Sequence, residues 1–114
     1  MAKRVQHNPR VLKQLREEGW YATSVDYWDA FTRRTKDLFG CIDVLAIGPD
    51  GTLAVQVTSR SNMSSRRKKI LASEAWPHMK TAGWHVEVWG YDQPQGKGTT
   101  WRLKTIRLTT DSTT

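Results

Sequence analysis

Residues 43–60 read DVLAIGPDGTLAVQVTSR. Two apolar runs, 41–47 and 52–58, flank Gly48-Pro49-Asp50-Gly51. Proline presets the first turn angle and glycine tolerates positive φ, so this quartet reads as a turn and the runs as two paired strands. Strands this continuously apolar are usually buried on both faces. Against that background Asp43, Gln56 and Thr58 stand out. A turn centred between Pro49 and Asp50 sets Asp43 opposite Gln56, and opposed residues project to one face. Thr58, two residues further on, projects there too. A type I turn closed by a glycine bulge would instead slip the pairing by one residue and send Gln56 to the other face. In the first register a carboxylate, an amide and a hydroxyl converge. That set suits a hard cation held through oxygens, and it equally suits hydrogen bonds tying the sheet to neighbouring loops.

Working outward, Asn8-Pro9 reads as a helix start, with Asn as N-cap and Pro at the first helical position. Val11, Leu12 and Leu15 recur at helical spacing before Gly19, so the first helix is expected over 9–18. WYATSVDYW, residues 20–28, is aromatic and β-branched and reads as one strand, and 29–36 reads as a loop or irregular edge. From Ser61 to Gly83 the pattern turns helical, with Ile70, Leu71, Ala75 and Met79 on one face and Pro77 predicting a kink or break near Trp76. Residues 84–91 alternate as a strand, 92–100 form a Gly/Pro/Gln-rich loop, and 101–108 form a last, edge strand. The expectation is an α/β protein with a mixed sheet flanked by helices, one domain over 1–108 and a frayed tail over 109–114.

The chain has 114 residues, with 18 Lys and Arg against 11 Asp and Glu, a net charge of +7. One domain with one modest core fits that length. An excess of this size on so small a domain points to a polyanionic partner, nucleic acid above all, with a merely solubilising basic surface as the alternative. No apolar run is long enough for a membrane span, and no secretory signal opens the chain. Cys41 is the only cysteine and lies in an apolar run, which implies a buried, reduced thiol in a cytoplasmic protein. His7, His78 and His85 have no metal-ligand spacing, and GPDG is a turn rather than a phosphate loop.

The run GCIDVLAIGPDGTLAVQVTSR resembles the core of the PD-(D/E)XK nuclease superfamily, most of all the small Holliday-junction resolvases of archaea and phages. In that family an Asp opening one strand is followed, across a turn, by Glu-x-Lys on the next. The Asp and Glu hold a divalent metal, and the Lys serves the attacking water. The resemblance spans roughly residues 8–91 and implies a restriction-endonuclease-like core of helix, three strands, helix and strand. It implies Asp43, Gln56 and the Val57 carbonyl as metal ligands, with Gln56 at the Glu position and Thr58 at the Lys position. Ser59-Arg60 completes the match, and Asn8 falls where the family has an acidic residue on its first helix. Asp37 is the candidate second carboxylate. Lys36, or Lys68 and Lys69 on the following helix, are candidates for the missing lysine.

The implied activity is a Mg²⁺- or Mn²⁺-dependent endonuclease that hydrolyses phosphodiesters in branched DNA as a homodimer. Its small size and divergent motif suit a phage-encoded protein acting in the host cytoplasm. A bound metal would neutralise phosphate oxygens and acidify its water. Arg33, Arg34, Arg60, Arg66, Arg67, Lys68 and Lys69 are the expected DNA contacts, positioning the phosphate backbone without reading bases. The alternative functions are a DNA-binding protein that keeps the fold with an eroded site, and a protein-binding accessory factor.

Overall fold

The structure is a computed structural model and describes residues 7–93 and 101–108. The loop positions 94–100 and the tail 109–114 expected above lie outside the described residues. Helix α1 spans Asn8–Glu17. Strands β1 (Tyr21–Ser24), β2 (Tyr27–Asp29), β3 (Arg34–Lys36), β4 (Val44–Gly48) and β5 (Gly51–Ser59) follow. A 3₁₀ turn at Arg60–Asn62 leads into α2 (Met63–Leu71) and α3 (Ala75–Thr81). Strands β6 (His85–Asp92) and β7 (Arg102–Leu108) close the fold. The main sheet has five strands in the order β1-β4-β5-β6-β7, while β2 and β3 form a separate two-stranded ribbon. Only β5 and β6 run parallel, because the α2–α3 crossover returns the chain to the same end of the sheet. The other pairs in the sheet are antiparallel.

The sheet is covered on both faces. Val11 and Leu15 of α1 pack over Ala22, Val44, Ala46, Leu53 and Val55. On the other face Met63, Ile70, Trp76 and Met79 of α2 and α3 pack over Ala54, Val86 and Val88, with Cys41 and Ile42 from the loop before β4. That is why β4 and β5 read as nearly continuous apolar runs. Cys41 is buried, as its neighbours in sequence indicated, and burial pushes its thiol pKa up.

The central hairpin takes the unslipped register. Val44 pairs with Val55, Ala46 with Leu53, and Gly48 with Gly51 around the two-residue turn. Gly51 has φ of 119°, a value that favours glycine.

Four sequence expectations are corrected. Asn8 is not the N-cap of α1. His7 takes that position, and the Asn8 amide donates to Asp26 Oδ2 at 3.0 Å instead. Residues 20–28 are not one strand, since the chain leaves the sheet after Ser24 and residues 27–29 pair with 34–36, which had read as loop. Strand β4 begins at Val44, because Leu38–Ile42 closes into a tight turn with the Ile42 N–H on the Leu38 carbonyl. The helical stretch from Ser61 breaks at 72–74. Pro77 falls in the first turn of α3, where its missing N–H costs no hydrogen bond, and Ser73 Oγ accepts from the Ala75 N–H.

Candidate functional site

Strand β5 ends at Ser59 and its parallel neighbour β6 at Asp92, and β4, antiparallel to β5, starts at the same end of the sheet. At this edge lies a cleft of about 830 Å³. Its floor is Asp43, Gln56, Val57 and Thr58, and Asp37 joins from the loop before β4. Arg60, Asn62 and Arg66 form one wall, Arg34 and Thr35 of the ribbon another, and His7, Tyr91 and Trp101 close the far end. The Arg60 wall lies close to the sheet because Gly90 has no side chain. A Cβ there would come within 2.4 Å of Met63 and 3.1 Å of the Arg60 Cα.

Asp43 is 7% exposed and Gln56 2%. The Gln56 amide nitrogen donates to Asp43 Oδ2 at 2.6 Å, and the Val57 backbone N–H donates to the same oxygen at 2.8 Å. Where the β4–β5 ladder ends, the Asp43 carboxylate thus accepts what a backbone carbonyl would otherwise accept. Its own N–H bonds the Val55 carbonyl at 2.9 Å. Burial raises the Asp43 pKa, and the hydrogen bond that its protonated form donates to Asp37 adds to it. The Val57 N–H opposes that rise, and the charges of Asp37 and Asp26 reinforce it, so the carboxyl is pushed up to about 7. Two carboxyls this close resist ionising together. Gln56 Oε1 is buried and has no hydrogen-bond partner among the described residues. A buried acceptor left open is costly and therefore informative.

The basic residues divide. Arg34, Arg60 and Arg66 line the cleft. Arg60 also lies 3.6 Å from Asp92, which Arg102 holds at 2.9 Å. Lys69 reaches Asp37 at 3.8 Å from α2 and is the lysine tied to the carboxyl pair. Lys36 is turned onto Asp29 at 2.9 Å and is not part of the cleft wall. Arg67 and Lys68 lie on α2 outside that wall, and Arg33 sits at the ribbon turn with φ of 57°. Thr58 is buried on the floor with no cation at its position.

The sequence reading missed the aromatic end. His7 stacks on Tyr91 with ring centres 4.8 Å apart and meets Trp101 edge-on at 4.8 Å. Arg10 Nη1 lies 3.1 Å from His7 Nδ1 and covers the Trp101 ring at 4.9 Å. Burial, with the Arg10 charge, lowers the His7 pKa. The buried Tyr91 hydroxyl has no hydrogen-bond partner among the described residues, and its pKa is raised to about 12 by burial. No spacing rule links residues 7, 91 and 101; the packing of α1, whose N-cap is His7, on the sheet brings them together. Asp26, beside Asn8, was also missed. Its one signal was an Asp interrupting an aromatic run.

No protein-family model, curated protein or solved structure matches the chain.

Proposed function

We propose that the cleft binds the phosphate backbone of DNA and hydrolyses it with a divalent metal, in the manner of a resolvase-like, restriction-endonuclease-like nuclease. The observation that carries this reading is the Asp43–Asp37 pair, two interacting carboxyls beside the orphaned Gln56 Oε1, in a cleft walled by Arg34, Arg60 and Arg66. Two carboxyls and a neutral amide oxygen are a hard donor set suited to Mg²⁺ or Mn²⁺. A cation there would replace the proton that now relieves the pair and would engage Gln56 Oε1. When bound, it would supply charge for the phosphate and a more acidic water. The chain's own residues would do the rest. Gln56 and the Val57 N–H orient the Asp43 carboxyl, Lys69 holds Asp37, and the three arginines grip phosphate oxygens. Arginine suits this task because its planar fork donates two bonds at once. A homodimer acting on branched DNA belongs to the same reading.

The second reading is a DNA-binding protein without hydrolysis. It is favoured by the donor count. Among the described residues no three His, Cys, Asp or Glu side chains gather closely enough to hold a metal, and no lysine lies on the cleft wall. Cleavage of labelled four-way-junction, flap and linear DNA with Mg²⁺ or Mn²⁺ separates the two. Cutting that needs the metal and is lost in Asp43→Ala and Asp37→Ala supports the nuclease. Salt-sensitive binding without cutting, equal in parent and variants, supports the binding protein.

A further inference from the structure

Among the described residues outside β1, the two most exposed aromatic side chains, Phe31 and Trp28, stand on the ribbon of β2 and β3, with Tyr27 beside them. Phe31 is 96% exposed, Trp28 63% and Tyr27 55%. These rings stand on an ordered element. Trp28 pairs with Thr35 and Asp29 with Arg34. The turn between the strands is held by Asp29, whose carboxylate accepts from the Phe31 N–H at 2.9 Å and whose carbonyl accepts from the Arg33 N–H at 2.8 Å. The Lys36–Asp29 ion pair spans the face of the ribbon opposite Trp28. The ribbon therefore presents Phe31 at its tip to water, at a cost in exposed apolar area that packing within the chain does not offset.

Placement says what would cover it. Trp28 stands directly opposite Thr35, so it projects to the same side of the ribbon. Thr35, on that side, lines the proposed phosphate-binding cleft, and Arg34, which lines it too, projects to the other side with Asp29. Arg33 and Arg34 set positive charge within the aromatic stretch and carry no carboxylate ion pair among the described residues. Flat rings at the ribbon's tip and on one side, with guanidinium groups at its turn and on the other, continuous with a basic cleft, match an unpaired nucleic-acid strand passing over the ribbon end. Each base offers a π-face to an aromatic ring and each phosphate an oxygen to an arginine. A protein partner would require no cations at these positions. Paired duplex offers no free base faces, so it would leave the rings uncovered.

We infer that the β2–β3 ribbon is a stacking platform for unpaired bases, with Phe31 and Trp28 as the stacking rings and Arg33 and Arg34 as phosphate contacts. The inference rests on the DNA-binding reading of the cleft. It makes the selected feature a single-stranded or unstacked segment next to the phosphate to be held, as occurs at a junction, flap or fork.

The test uses the full chain, a fluorescein-labelled oligo-dT and a labelled duplex of equal length, in EDTA so that nothing is cut, read by fluorescence anisotropy. Phe31→Ala and Trp28→Ala are expected to weaken oligo-dT binding at least about 10-fold each while changing duplex binding less than about 2-fold. Phe31→Tyr is expected to keep the parent affinity and Phe31→Leu to lose it, because stacking needs a ring. Phe31 makes no buried contact, so its variants are expected to melt with the parent. Oligo-dT binding unchanged in both alanine variants, or an equal loss for duplex and single strand, overturns the platform while leaving the cleft reading in place. A parent chain that binds neither DNA overturns both. A parent that is dimeric by light scattering and becomes monomeric in Phe31→Ala overturns the platform in favour of a self-association surface.

Discussion

The two ends of the β4–β5 hairpin are built from the same two strands and behave differently. At the turn end, Gly48 and Gly51 close a regular ladder whose side chains are apolar, and Leu53 and Ala46 are sealed under α1. At the open end, the ladder gives out at Asp43, and a carboxylate takes the hydrogen bonds that a backbone carbonyl would take. The turn end lowers the free energy of the fold through burial alone. The open end keeps an acid in a place that makes ionisation unfavourable, beside a second acid and an amide oxygen with no partner among the described residues. A buried charged or unpaired group detracts from stability unless something compensates it, so such an end points to a ligand more than to architecture.

The sharpest break of this comparison is functional. Asp43→Ala is expected to remove metal-dependent DNA cleavage, a loss of roughly 1000-fold or more, measured as initial rates on a labelled junction. Leu53→Ala at the turn end should do the reverse. It should cost about 3 kcal/mol of unfolding free energy in a denaturant titration, through the cavity it leaves, and leave cleavage per folded molecule within about 2-fold.

Gln56→Glu sharpens the contrast. The substitution replaces the donor at 2.6 Å from Asp43 with a like charge. Without metal it should lower stability by roughly 2 kcal/mol at neutral pH, and Mg²⁺ should restore most of that loss. A variant that melts with the parent in EDTA would show that the Asp43–Gln56 contact contributes little.

The smallest effect is expected in pH dependence. The Asp43 carboxyl titrates near 3.8 in an unfolded chain and near 7 in the fold. Between those values the folded state holds a proton that the unfolded state releases. Stability should therefore fall as pH rises from about 4 to about 7 and stay low above that. Asp43→Asn removes the titration while its amide oxygen still accepts from Val57 and Gln56. Thermal melts should give the variant an advantage on the order of 1–2 kcal/mol at pH 8 in EDTA, vanishing at pH 4. Equal pH profiles for parent and variant would mean that Asp43 ionises freely in the fold.

Much of the architecture was legible in local sequence. The hairpin was, because two apolar runs around Gly-Pro-Asp-Gly mark paired strands, though that turn allowed two registers and the structure took the one in which Asp43 meets Gln56. The first helix was legible to within a residue, with the cap misassigned because Asn8 found a long-range partner in Asp26. The ribbon was not. Residues 27 and 28 have strand chemistry, but which strand they join depends on where the chain leaves the sheet, and the Lys36–Asp29 pair joins two residues that both read as loop.

By itself, then, the sequence determined the helices, the central hairpin's two strands and the charge balance, and it left the hairpin two registers, in one of which Asp43 meets Gln56. These follow from side-chain periodicity and turn chemistry, which act over a few residues. Only the tertiary structure decided which distant groups share the cleft: Asp37 and Lys69, the His7–Tyr91–Trp101 end, and the ribbon wall. Those meetings depend on strand order and on how the α2–α3 crossover packs, and both are settled by burying two faces of one sheet at once.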